Sequence, residues 1–102
     1  MSKRQTQRRV LVTAVERAVL DEQPADDRPL ENDEIAGRTL VTMISAGTEL
    51  NHAYLKPDGD FPRAVGYAAV FEAEEVGAQA SDVKPGDRLF CVGGHKSHQR
   101  VR

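Results

Sequence analysis

Val65–Arg88, VGYAAVFEAEEVGAQASDVKPGDR, carries the alternation that sets the fold class. From Tyr67 to Val76 its side chains alternate as a strand requires. Ala69, Phe71 and Ala73 fall on one face, and Val70, Glu72, Glu74 and Val76 on the other. The face of small and aromatic side chains is the one expected to join a core. Gly77 ends the strand, Val83 anchors a loop, and Pro85-Gly86 makes a corner before a second strand, Leu89-Phe90-Cys91-Val92. Gly93-Gly94 turns the chain again, and Ser97–Arg102 opens a further strand.

Working outward, Val10–Val15 (VLVTAV) is a β-branched run that reads as a first strand, with Arg17–Leu20 as its hairpin arm. Asp21–Glu34, rich in acids and holding Pro24 and Pro29, is expected to be an extended, solvated surface connection. It lacks the glycine and the spacing of a calcium loop. Gly37 then introduces RTLVTMIS, where Leu40, Thr42 and Ile44 should face one way and Thr39, Val41, Met43 and Ser45 the other. AGTEL, residues 46–50, breaks that strand, and Asn51–Leu55 suits a short helical turn with Thr48 as its N-cap. Lys56–Asp60 is a turn cluster, and Phe61-Pro62-Arg63 leads back, extended, into the opening stretch. Short strands separated by turns, with hardly any helix signal, argue for a small barrel or sandwich.

Composition bounds the function. A chain of 102 residues is one small domain, burying somewhat over ~60% of the surface its unfolded form exposes. It is 39% hydrophobic, with no apolar run long enough to cross a bilayer, so no membrane partner is expected. MSKRQTQRR has charge but no apolar stretch after it, so no secretory leader is expected. The lone Cys91 cannot make an internal disulfide and reads as a buried small hydrophobe, which favours a reducing, cytoplasmic setting. Net charge is −2, but Lys3, Arg4, Arg8 and Arg9 make residues 1–9 basic. They read as a disordered basic tail. Four charges without interleaved aromatics do not make a nucleic-acid footprint, and no nucleic-acid partner is expected.

The opening stretch, with its EAEEVG and KPGDR at this spacing, resembles the GHEAAGVVEEVG…KPGDRV segment of the medium-chain dehydrogenase/reductase family. The likeness covers residues 9–102. It implies a mainly β, GroES-like (alcohol dehydrogenase-like) barrel with little helix, incomplete as it stands: a tail over 1–9, a partial substrate-side domain over 10–102, and the Rossmann domain absent. The parent implied is an NAD(P)-dependent oxidoreductase, NADP-using, acting on a small-molecule carbonyl, alcohol or activated alkene. Such an enzyme would self-associate, if at all, through the missing domain.

The family's metal ligands are replaced. Its loop Gly-Ile-Cys-Gly-Ser-Asp aligns so that Ser45 stands at the zinc-binding Cys, while Gly66-Tyr67-Ala68 stands where the family has Gly-His-Glu. Serine, tyrosine and alanine cannot supply the donors that zinc prefers, so no catalytic zinc is expected. The structural zinc lobe needs four cysteines, and the chain has one. ISAGTEL resembles the zinc-independent or atypical branch. The chain also lacks a Gly-x-Gly-x-x-Gly, so it is expected to bind no cofactor on its own and to be inactive in isolation.

Tyr67 and Thr48 are the candidate catalytic residues, and Ser45 and Glu49 the candidate substrate-cleft residues. A phenol at position 67 suits proton or hydrogen-bond donation to a carbonyl oxygen, or is a packed tyrosine with a satisfied hydroxyl. Thr48 and Glu49, side by side, suit substrate positioning or proton relay, or cap a turn and face solvent. His95 and His98 form H-x-x-H, with His52 the nearest other imidazole, a weak metal pattern on a strand and turn. A different reading makes the chain a stand-alone GroES-like binding or assembly module, as co-chaperonins are. The acidic connection over 21–34 is unlike their apolar docking loop.

Overall fold

A computed structural model describes residues 6–55 and 61–102. Seven strands form two antiparallel sheets. β1 (Thr6–Ala14), β2 (Arg17–Pro24) and β4 (Arg63–Ala64) make the first, in the order β2-β1-β4. β3 (Ile35–Thr42), β5 (Ala69–Val76), β6 (Arg88–Cys91) and β7 (His98–Val101) make the second, in the order β6-β5-β3-β7. Between β3 and β4 lies a four-residue helix, α1 (Ala46–Glu49), which widens into a single π-helical turn over Leu50–Tyr54. The chain is mainly β, and no described helix is long and apolar enough to cross a membrane.

β5 forms the core as its alternation requires. Ala69, Phe71 and Ala73 are buried, and they cluster with Ile35 and Cys91. Phe71 is the large side chain at the centre, with no exposed surface. Val76, Ala80, Val83, Leu89 and Val101 pack around that cluster, so the Pro85-Gly86 corner folds its flanking residues back onto the sheet. Cys91 is buried there, and burial pushes its thiol up from the ordinary range, away from reactivity.

β3 departs from simple alternation. Thr39 stands opposite Phe71 and Val41 opposite Val70, so Leu40 is an extra residue and the strand bulges. Thr42 comes opposite Ala69, while Val41 is 61% exposed and Ile44 77% exposed. Leu40 and Thr42 are both half-buried, as their expected common face requires, but Ile44 lies beyond the end of β3 and does not join them.

Two other expectations change. β1 begins at Thr6, so Arg8 and Arg9, expected in a basic tail, are strand residues instead. Arg9 Nε lies 3.0 Å from Asp21 Oδ2 and Arg8 Nε 3.4 Å from Glu22 Oε1, the acids opposite them on β2. The remaining tail residues, 1–5, and the Lys56–Asp60 turn lie outside the described residues. The acidic connection is shorter than expected, because β2 takes residues 21–24, and it is not simply solvated. Arg100, from β7, donates to the carbonyls of Arg28 (3.0 Å) and Pro29 (2.8 Å) and to Glu34 Oε1 (3.0 Å). Asp26 receives a fork of two bonds from Arg28, each 2.9 Å.

These contacts make the loop acid-sensitive. The Arg28 hydrogen bonds hold the Asp26 carboxyl down at about 2, and the Arg100 hydrogen bond holds Glu34 below its ordinary range. Carboxyls depressed in the folded state add stability above their unfolded values near ~4 and lose it as pH falls through the folded ones. The thermal midpoint should therefore fall between about pH 5 and pH 2. Arg100→Ala should lower the midpoint at neutral pH and flatten that acid limb, which calorimetry at stepped pH would read.

Candidate functional site

α1 starts where β3 stops. Ser45, in extended backbone, is the N-cap, so the cap is not Thr48, which lies inside the helix. Ser45 does not cap through its hydroxyl. Its backbone N–H donates to Glu49 Oε2 at 2.9 Å, the reach-back of a capping box made one residue later than usual. Its hydroxyl donates instead to Thr48 Oγ1 at 3.1 Å. Three of the four candidate residues thus form one hydrogen-bonded turn.

The fourth, Tyr67, arrives from the other side. Gly66 precedes it with φ of +98°, in the left-handed region. A Cβ on Gly66 would stand 2.6 Å from the His95 nitrogen, so the chain there passes against the Gly94-His95 backbone with no room for a side chain. His95 N donates to Val65 O (2.8 Å) and Gly93 N to Tyr67 O (3.2 Å), fixing the backbone on both sides of Gly66. Tyr67 is 41% exposed, and its hydroxyl bonds to none of the described residues. Its ring lines an open depression of about 290 Å³ together with Thr48, Glu49, Ala53, Arg63 and Gly66. Arg63 shapes that wall by donating to Ala53 O at 3.2 Å and lying 4.3 Å above the Phe61 ring. Ala68, aligned with the family's glutamate, is buried and faces no cleft.

In the sequence His95 stands only as half of H-x-x-H. Its ring instead bridges the turn to the sheet, with Nε2 at 2.8 Å from Glu49 Oε1 and Nδ1 at 2.6 Å from Thr42 Oγ1. His98 turns to other partners, its Nδ1 lying 3.0 Å from Ser97 Oγ. The His52 side chain lies outside the described residues, and among those described no three histidine, cysteine or acidic side chains gather where a metal would be held. The usable signal for His95 was its place after Gly93-Gly94, where the backbone turns and a side chain points back toward the preceding strands.

The described residues also offer no dinucleotide cradle. Every paired strand is antiparallel, no helix exceeds five residues, and the phosphate-binding glycine pattern is absent. A nicotinamide cofactor does not fit these residues.

No family model matches the chain, and no curated sequence does. The fold, however, is found in a solved enzyme. A mutant form of enoyl thioester reductase from Candida tropicalis matches 94% of this chain with a TM-score of 0.69, at 20% identity. The chain spans 31% of that protein's length. At this identity the likeness establishes the fold.

The glycine at position 66 is the most exposed point of this arrangement to mutation. Gly66→Ala must either strain φ or push His95 away, and should cost about 1–3 kcal/mol from the backbone conformation alone. Chemical denaturation would read the loss, and the Tyr67 and His95 amide resonances should move with it.

Proposed function

We propose that the chain is the substrate-side part of a zinc-independent, nicotinamide-dependent reductase of the medium-chain dehydrogenase/reductase kind, acting on an activated alkene or a related carbonyl compound. The observation that carries the reading is Tyr67: a 41% exposed tyrosine whose hydroxyl bonds to none of the described residues, on backbone hydrogen-bonded to Gly93, in the wall of a depression that Thr48 and Arg63 also line. The fold shared with an enoyl thioester reductase supports the choice of an activated alkene. The donor set speaks against zinc, since Ser45 spends its hydroxyl on Thr48 and Ala68 is buried.

In this reading the nicotinamide, NADP by preference, is held outside these residues and supplies the reducing equivalent. The chain's own residues bind, orient and protonate. Thr48 holds the carbonyl oxygen of the bound substrate, and Arg63 meets the negative charge as it develops there. Tyr67 gives its phenolic proton to the α-carbon of the resulting enolate, and the phenolate is reprotonated from solvent. Glu49 does not compete as the acid, because both of its oxygens already accept hydrogen bonds. The buried Cys91 and the absence of any other cysteine fit the reducing, cytoplasmic setting we assign to the protein.

The test is Tyr67→Phe in the full-length protein that carries this chain, assayed with NADPH and an α,β-unsaturated thioester. Turnover should fall by about 10²-fold or more with KM little changed, as expected for loss of a general acid. Unchanged turnover would leave Tyr67 as a packing residue and remove the reading.

A further inference from the structure

We infer that His95 is a positioning residue: an imidazole that, when neutral, is protonated on Nε2 and accepts at Nδ1, and that sets the Ser45–Glu49 turn and through it aims the Thr48 hydroxyl at the substrate. The functional half of this inference rests on the reductase reading above.

The assignment follows from what each partner can do. An ionised carboxylate only accepts, so the 2.8 Å contact with Glu49 Oε1 needs the proton on His95 Nε2. In a neutral ring Nδ1 is then an acceptor, and the Thr42 hydroxyl at 2.6 Å is its donor. The ring side chain is only 11% exposed and Glu49 19%, so neither nitrogen is left to serve as a solvent-facing base or a metal ligand. Glu49 uses its other oxygen for the Ser45 N–H at 2.9 Å. The Ser45 hydroxyl donates to Thr48 Oγ1 at 3.1 Å, which leaves the proton of the exposed Thr48 hydroxyl as the free end of the chain of donors. Thr48 lines the depression that Tyr67 also lines. The ligand class implied is a substrate with a hydrogen-bond-accepting oxygen beside its reacting carbon, as in a thioester or ketone conjugated to an alkene.

The backbone of His95 makes the ring's position firm. Its N–H donates to Val65 O at 2.8 Å and its carbonyl accepts from Val10 N at 2.9 Å, so the imidazole is mounted on β1 and on the link between β4 and β5 before its ring reaches the turn. A carboxylate is not essential to such a clamp. In Glu49→Gln the amide oxygen still accepts from Ser45 N–H, while the amide nitrogen now donates to His95 Nε2. The imidazole proton must then move to Nδ1 and be donated to Thr42 Oγ1. The geometry survives with its direction reversed.

Long-range ¹H–¹⁵N spectra of the histidine rings in the 102-residue chain would test this at about pH 9, well above the usual histidine range of ~6.5. Wild type should show the Nε2–H tautomer and Glu49→Gln the Nδ1–H tautomer. A proton on Nδ1 in the wild type, or an unchanged tautomer in the Gln variant, overturns the assignment. In the full-length reductase, Glu49→Ala and His95→Ala should raise KM about tenfold with kcat changed far less, the loss of roughly one aimed hydrogen bond. Glu49→Gln should rescue KM to within about twofold. Thr48→Ala, at an exposed position, should reproduce the KM increase while leaving the His95 spectrum as in wild type. Glu49→Gln behaving like Glu49→Ala, or Thr48→Ala with unaltered KM, contradicts the positioning role. A full-length protein that reduces no activated alkene would instead remove the reductase reading, with the ring spectra still deciding the tautomer and its reversal.

Discussion

His95 joins more of this structure than any other described side chain in the site. Its peptide bonds to Val65 and Val10, and its ring to Thr42 and Glu49. Those partners belong to the approach to β5, to β1, to β3 and to α1. The two sheets meet beside it, where Arg9 bridges Lys96 and Ser97 N donates to Arg8 O. Among the described residues Phe71 is the one large, fully buried side chain, so apolar burial leaves little surplus and a satisfied polar junction counts for more. Each such bond is worth about 1 kcal/mol when made, and a partner left buried and unpaired costs about 1–3 kcal/mol. The junction is therefore structural, and in the proposed reading it is functional as well. It holds the sheets in register with each other and presents the turn that faces Tyr67.

The candidate site follows from that junction. Gly66 brings the chain against Gly94 and His95, so Tyr67 leaves the crossing at a fixed angle before Ala69 enters the sheet. On the far wall, the short helix after β3 folds Glu49 back on Ser45, and the wider π-helical turn that follows carries the wall on to Ala53. Thr48, Arg63 and Tyr67 then line one depression. In the proposed reaction these groups bind, polarise and protonate. They have no means of oxidising or reducing, which is consistent with half of a catalytic centre mounted on a rigid β scaffold.

Much of this was legible in the residue order, and the exceptions share a cause. The core face of β5 followed from period-two alternation, and the mainly β class from strands cut short by Gly and Pro. The bulge at Leu40 was not legible, because one extra residue leaves no mark in composition. The cap moved from Thr48 to Ser45 because Glu49 took the Ser45 N–H, a local choice that either residue type permits. The two contacts that matter most are remote in sequence. Glu49 and His95 are 46 residues apart, and Glu34 and Arg100 are 66 apart. Each read alone as a solvated charge or a stray imidazole, and only the closing of the sheets makes them partners.

If Tyr67 supplies the proton, the carbon that receives it and the configuration that results must depend on that side chain. The full-length protein would reduce an α-methyl-substituted, α,β-unsaturated thioester in D₂O, and the product would be analysed for deuterium at the α-carbon and for its configuration. The account predicts solvent deuterium at that carbon in a single configuration for the wild type, and a mixture of configurations, formed slowly, for Tyr67→Phe. A single configuration formed at the wild-type rate by Tyr67→Phe would contradict it.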